Sequence, residues 1–277
     1  MIIGDYNQAK IVTLTDTACF LDTGGEADIY MPIDEVPEGA ARGDKIEVFL
    51  YNPSKDEVKA TTVKPSAAMG GFAALEVTDS TSFGVFLDWG LPKDLLVPTR
   101  NLRADLSPGD IAVVKIVPDF DGIGVVGTCK FDELFDDDFS SLYPNKKVDI
   151  LVFGISPLGA RVIIDNRFQG LLYRNEIFEK LRIGDSHTGY IKKIRDDGLI
   201  DAALQPQGFL AASKEARTII LDALEDSNGY LPLNDKSSAD DINSTLCMSK
   251  KVFKKTIGGL YKEKKISIEP DGLRLLR

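Results

Sequence analysis

Short runs rich in Val, Ile, Leu and Phe fill the first three quarters of the chain, and Gly, Pro, Asp and Ser separate them. Such runs, bounded by turn formers, predict strands rather than helices. They fall at 10–14, 19–23, 28–31, 45–51 and 57–62, and again at 74–77, 83–89, 94–97, 111–117 and 124–129. A third set falls at 147–154, 161–165, 170–173, 186–194 and 199–204. After Gln207 the apolar spacing changes. Ala216, Ile219, Ile220, Ala223 and Leu224 recur at helical intervals, predicting a helix over 213–224 that Ser213 can cap. Ser237 or Ser238 opens a second helix, with Asp240 and Asp241 placed well for its dipole. A third helix, 249–263, puts Val252, Phe253, Ile257 and Leu260 on one side. Two strands, 265–268 and 273–276, close the chain around Pro270-Asp271-Gly272. Three helices and a terminal hairpin make a winged helix-turn-helix.

The strand sets are copies of one another. A stretch of 27 positions recurs without gaps at 17–43, 83–109 and 158–184. Fifteen positions into each copy stand Pro32, Pro98 and Tyr173. Each copy closes on Gly-Asp, at Gly43-Asp44, Gly109-Asp110 and Gly184-Asp185. A repeat of this kind must be read as one unit used three times. Five short strands with a turn or brief helix after the third, between Pro98 and Gly109 in the second copy, are the plan of a small OB-type barrel. The chain is thus expected to be mainly β, with barrels over 1–64, 68–136 and 145–206 and an α+β winged helix over 210–277. The acidic stretch 132–141 is expected to be a linker.

Charge alters this picture of three equivalent barrels. Residues 1–144 hold 11 Lys+Arg against 25 Asp+Glu, residues 145–206 hold 10 against 8, and residues 207–277 hold 12 against 10. Such asymmetry points to a polyanion partner for the second half, or to an acidic first half that serves solubility. No apolar run is long enough to span a membrane. The first residues lack a basic n-region, and three scattered cysteines (Cys19, Cys129, Cys247) fit a reducing compartment, so a cytoplasmic protein without a membrane partner is expected. A lone His187, no paired cysteines and no phosphate-loop or Ca²⁺-loop spacing leave neither a metal site, a cofactor site nor a catalytic set, and no enzyme is expected.

The repeat resembles the S1 domain, an RNA-binding OB barrel. Phe83-Gly84-Val85-Phe86-Leu87-Asp88-Trp89-Gly90 follows the S1 pattern closely, and Leu158-Gly159-Ala160-Arg161 with Gly170-Leu171-Leu172-Tyr173 match it in the third copy. Three such domains followed by a winged helix resemble the conserved virulence factor B family of bacterial RNA-binding proteins, over nearly the whole chain. The resemblance implies non-catalytic RNA binding and post-transcriptional influence on gene expression. The family's RNA-contacting His is replaced by Pro32, Pro98 and Tyr173, and its two aromatics by Thr17 in copy one and by Leu158 and Arg161 in copy three.

Flat side chains stack bases, and cations hold the backbone. Arg161 and Tyr173 occupy the contact positions of the one barrel that is not acidic, with Arg167, Lys192 and Lys193 as phosphate contacts. Phe83 and Phe86 fit the S1 positions by type, yet Asp88 and Asp94 lie close by, so they either contact RNA or pack on a neighbouring domain. Phe20 is a further contact candidate, and Trp89 is expected in the core or between domains. Lys250, Lys251, Lys254 and Lys255 share one side of the third helix, where with Lys262, Lys264 and Lys265 they follow a phosphate backbone or form a solvated basic face. The leading expectation is an RNA binder holding single-stranded or loosely structured RNA across barrel three and the winged helix. Two others stand beside it: a scaffold whose acidic barrels one and two dock a basic protein, and a DNA-binding regulator acting through the winged helix.

Overall fold

The computed structural model describes residues 1–25, 27–54, 57–122, 124–177, 180–206 and 214–276. The first barrel is built from β1 (Tyr6–Leu14), β2 (Ala18–Asp22), β3 (Ile29–Pro32), β4 (Lys45–Ser54) and β5 (Glu57–Thr61). It closes in the order β1-β2-β3-β5-β4, with β3 and β5 parallel. The third barrel closes in the same order through β11 (Lys147–Ser156), β12 (Gly159–Ile164), β13 (Phe168–Tyr173), β15 (Ile200–Ala203) and β14 (Ser186–Ile194). The second set, β6 (Phe72–Thr81), β7 (Gly84–Asp88), β8 (Leu95–Pro98), β9 (Ile111–Pro118) and β10 (Val125–Thr128), forms a sheet ordered β10-β9-β6-β7-β8. Its edge strands β8 and β10 still run side by side: a Cβ at Gly127 would lie 2.7 Å from Val97 Cγ2. Asn101 beyond β8 donates to Gly127 O at 3.1 Å and accepts from Cys129 N at 3.0 Å. Side-chain packing and these bonds hold the seam that backbone pairing holds in the other two barrels.

The Gly-Asp landmark has a physical cause. Each first strand slips register at one place, between Ile11 and Thr13, Val77 and Asp79, and Val152 and Gly154. This bulge frees a carbonyl, and the glycine N–H fills it: Gly43 to Ile11 O, Gly109 to Val77 O and Gly184 to Val152 O, at 2.8 to 2.9 Å. The glycines adopt φ of 99°, 91° and 94°, which only glycine reaches cheaply. The aspartates close the same turn by accepting from the N–H three residues back, at Ala41, Ser107 and Arg182. Three residues in each copy thus perform one task, and the motif persists where the surface residues diverge.

A position held by glycine in the second and third copies, and by Ala18 in the first, is sterically tight. A Cβ at Gly159, where φ is +152°, would stand 1.9 Å from Leu172 O, and one at Gly84 would stand 2.3 Å from Val97 O. Gly159→Ala is therefore expected to force β12 from β13 and to cost about 1–3 kcal/mol, read as a lower urea midpoint at unchanged m-value.

Residues 1–135 form one compact unit and residues 136–277 another. In the first unit the two barrels share a core: Phe49 and Tyr51 of β4 are buried with Leu75, Leu87 and Ile116 of the second sheet. Trp89 is one of these core residues, its ring edge-on to Phe49 at 5.8 Å and its Nε1 donating to Lys93 O at 2.7 Å. It is interdomain packing. The acidic stretch 132–141 is anchored rather than loose. Phe131 and Phe135 pack with Phe72 at one end, and Phe139 packs on Phe168 at the other, ring centroids 5.1 to 5.8 Å apart.

The winged helix comprises α1 (Lys214–Asp226), β16 (Tyr230–Leu231), α2 (Ala239–Leu246), α3 (Lys250–Lys262), β17 (Ile266–Glu269) and β18 (Gly272–Leu275). Ser238 caps α2 by accepting from Asp241 N, and Ser249 caps α3 by accepting from Val252 N. The proposed cap Ser213 lies outside the described residues. Ile220, Leu224, Ile242, Phe253, Ile257 and Leu260 fill the core between the helices. His187 lies in β14 opposite Ile150, half-buried within the strand. Among the described residues no helix is long and apolar enough to cross a membrane.

Candidate nucleic-acid interface

Arg161, Phe86 and Phe20 occupy the same place, the third residue of the second strand of their barrels, because the repeat carries register with it. Strand alternation turns each outward between buried neighbours, and all three are half-buried. Their surroundings differ.

In the third barrel the Arg161 guanidinium sits over Phe153, 4.7 Å from the ring centroid, and Phe153 is the residue that the β11 bulge turns outward. Arg161 pairs with Leu171, two residues before Tyr173, so Arg161 and Tyr173 are diagonal neighbours on one face. Tyr173 is held by a group that composition did not single out. Arg195, on the β14–β15 hairpin, donates from Nη2 to Tyr173 Oη at 2.7 Å and stands 5.8 Å from its ring. Asp201 fixes that guanidinium from below, accepting from Nε at 2.9 Å and Nη2 at 2.5 Å. The hydrogen bond to Asp201 pushes the Arg195 pKa further above its already high value. Lys192 Nζ lies 5.9 Å from the same ring and makes two bonds to Glu176, at 2.6 and 2.8 Å. Lys193 is exposed, opposite Asp201 on β15. Arg161, Phe153, Tyr173, Lys192 and Arg195 thus form a face of rings and cations, in which Glu176 holds Lys192 and Asp201 holds Arg195. Arg167 stands apart: it lies in the β12–β13 turn, stacked on Phe168 and paired with Asp136 through Nε at 3.0 Å and Nη2 at 2.5 Å. It reaches a phosphate only by giving up that pair.

In the second barrel Phe83 is 59 % exposed and meets Phe86 edge-on at 5.9 Å. Phe120, at the β9–β10 turn, is 84 % exposed, with the Arg100 guanidinium 5.6 Å from its ring. Asp94 accepts from Thr78 Oγ1 at 2.6 Å close to the Phe86 carbonyl, which places a carboxylate beside the rings. In the first barrel Phe20 meets Tyr30 edge-on at 6.3 Å, and Lys59 covers Tyr30 at 5.4 Å.

On the winged helix, Lys251, Lys254 and Lys255 are exposed along α3, opposite the buried Phe253, Ile257 and Leu260. Lys250 is half-buried and donates to Lys236 O at 3.4 Å. Exposed Tyr261 and Lys262 continue this side, and Gly258, one turn before them, has open space where a side chain would stand. Lys264 and Lys265 follow, also exposed. Arg217 forms a two-pronged pair with Glu263 and ties α1 to the end of α3.

Comparison with known proteins agrees with this architecture. The S1 domain family matches residues 3–63, and the CvfB-like winged helix domain family matches residues 218–275. An uncharacterized protein of Bacillus subtilis, YitL, is 32% identical over 260 residues, covering 91% of this chain and 86% of its own. Conserved virulence factor B of Staphylococcus aureus is 25% identical, covering 85% of this chain and 80% of its own. A crystal structure of a multidomain protein with nucleic acid binding domains from Streptococcus pneumoniae is 27% identical, covering 99% of this chain and 98% of that one, with a TM-score of 0.48.

Proposed function

The chain belongs to the conserved virulence factor B family, and on that premise we propose that it is a non-catalytic RNA-binding protein that influences gene expression post-transcriptionally. Its main contacts are the outer face of barrel three and the basic side of α3, both in the unit of residues 136–277. The observation that carries this reading is the face around Arg161 and Tyr173. A ring-and-cation surface locked by Asp201 and Glu176 offers stacking planes and positive charge already in position, so little side-chain freedom is lost on binding. Single strands or loose structure suit it, because bases must be unstacked to reach it.

Replacing Arg161 and Tyr173 together by Ala is expected to weaken RNA binding by about 1–3 kcal/mol for each lost stack. Titration of labelled RNA, single-stranded DNA and duplex DNA at two salt concentrations tests the whole reading. Preference for RNA supports it, preference for duplex DNA favours regulation through the winged helix, and no binding to any nucleic acid removes it.

A second reading concerns barrel two alone. Phe83 and Phe120 are exposed on an acidic barrel, a surface that fits a basic protein partner better than a polyanion. Co-purification of a basic protein, lost on Phe83→Ser with Phe120→Ser, is its expected signature.

A further inference from the structure

Beyond the stacking face, the unit of residues 136–277 contains a cavity of about 380 Å³ where barrel three meets the winged helix. Ile155, Ala160, Ile177 and Leu181 give it apolar walls, and Arg174 and Lys180 stand at it as exposed cations. No carboxylate lines it among the described residues. In a chain of net charge −10, a cavity whose described charged lining residues are both cations suits an anionic ligand.

Asn243 of α2 supplies the specific feature. Its Nδ2 donates to Ile177 O at 3.4 Å, which ties the winged helix to the barrel. Its Oδ1 is buried without a hydrogen-bond partner, although Asn243 lines the cavity. A buried acceptor left unpaired costs about as much as a lost hydrogen bond, so such a group calls for an explanation. A ligand that turns the Asn243 carboxamide toward the cavity and donates to it satisfies that oxygen.

The cavity adjoins the stacking face. Gly159, which lines it, pairs with Tyr173, and Ala160, which also lines it, precedes Arg161. Arg174 follows Tyr173 directly. A strand stacked on Tyr173 therefore has its next nucleotide within reach of the cavity.

We propose that this cavity seats one unpaired nucleotide of the bound RNA, with a base N–H donating to Asn243 Oδ1, the base faces against Ile155 and Leu181, and the phosphate held by Arg174 and Lys180. The ligand must be flat and apolar on its faces, carry a donor on its edge and bear negative charge, and a nucleotide has all three. The volume lies at the small end of the roughly 300–1,000 Å³ of ligand pockets, which suits one base rather than a duplex. This assignment rests on the RNA-binding reading, and it makes Asn243 a specificity residue.

The test uses the full chain and a single-stranded oligoribonucleotide with 2-aminopurine scanned position by position. In the unsubstituted protein one label position should show a fluorescence change larger than its neighbours, marking a base removed from stacking on the strand. Arg174→Glu with Lys180→Glu, both exposed, should lower affinity about tenfold or more, since each cation opposes a phosphate. Asn243→Leu, close in volume, should remove the position-specific signal and weaken binding about tenfold. If RNA binds the unsubstituted protein but the charge pair and Asn243→Leu leave affinity and signal within about twofold, the cavity is not a nucleotide site and the wider RNA reading survives. If Asn243→Leu lowers the melting temperature, the charge pair decides alone. If the unsubstituted protein binds no RNA, the reading beneath the proposal falls and the proposal with it.

Discussion

Reversing Lys250, Lys251, Lys254 and Lys255 to Glu is expected to weaken RNA binding about 100- to 1,000-fold near 0.1 M salt. The size follows from counterion release. Each phosphate contact on a single strand contributes about −0.7 to the slope of log affinity against log salt, so three to four contacts contribute about 2–3 log units relative to 1 M salt. Three of the lysines are exposed, and the fourth already donates to Lys236 O, so three is the lower count. The loss should be nearly the same for every sequence, and the salt slope should flatten by about 2–3. The fold should survive, because Lys251, Lys254 and Lys255 are exposed opposite Phe253, Ile257 and Leu260, Lys250 is only half-buried, and acidic residues in the first turn suit the helix dipole. Binding titrated at several salt concentrations, with circular dichroism as control, measures both quantities. If the reversed protein keeps its slope and affinity, α3 faces solvent or a protein.

The architecture was legible because it rests on local rules. The bulge, the positive-φ glycine and the aspartate turn recur together, and each needs a particular residue at a fixed offset. A serine cap announced α2, and helical spacing announced α3, in the same way. The open seam of barrel two was not legible, since it depends on whether two strands some thirty residues apart make backbone or side-chain contact. Nor was the anchoring of 132–141: the acidic stretch read as a linker, and the phenylalanines in it find partners only in the folded barrels.

The candidate interface was legible by position and not by pairing. The register of the repeat placed Arg161 and Tyr173 on one face. It gave no sign of Arg195, which lies 22 residues beyond Tyr173 and meets it only when the barrel closes. Counting charges likewise made Arg167 and Lys192 equal to Lys193, although Asp136 engages the first and Glu176 the second. Arg174, Lys180 and Asn243 were missed for a similar reason. Their common surface exists only where a barrel loop meets α2, and in the sequence Glu176 and Glu179 lie between the two cations and hide them as a signal.

Separating the chain at the boundary between its compact units should separate its binding activity as well. A fragment of residues 136–277 carries 22 Lys+Arg against 21 Asp+Glu, whereas residues 1–135 carry 11 against 22. The first fragment is expected to keep most of the RNA affinity and the second to bind at least about tenfold more weakly near physiological salt, because backbone attraction supplies most sequence-independent affinity and an acidic surface opposes it. The near-neutral total of the C-terminal fragment hides how its charge is distributed: Lys251, Lys254 and Lys255 stand exposed together on one side of α3. The cut is cleaner at residue 135 than later in the acidic stretch: Phe135 stays with Phe72 and Phe131, while Asp136 stays with Arg167. Barrel two is the opposing force. Phe83 and Phe86 are stacking rings, and about 1–3 kcal/mol for each stacked base is enough to offset several repelled phosphates. Titrating both fragments with the same labelled RNA weighs the two terms directly. Tighter binding by residues 1–135 would show that aromatic stacking on Phe83 and Phe86 outweighs the charge of the barrel that carries them, and would move the interface to the first unit.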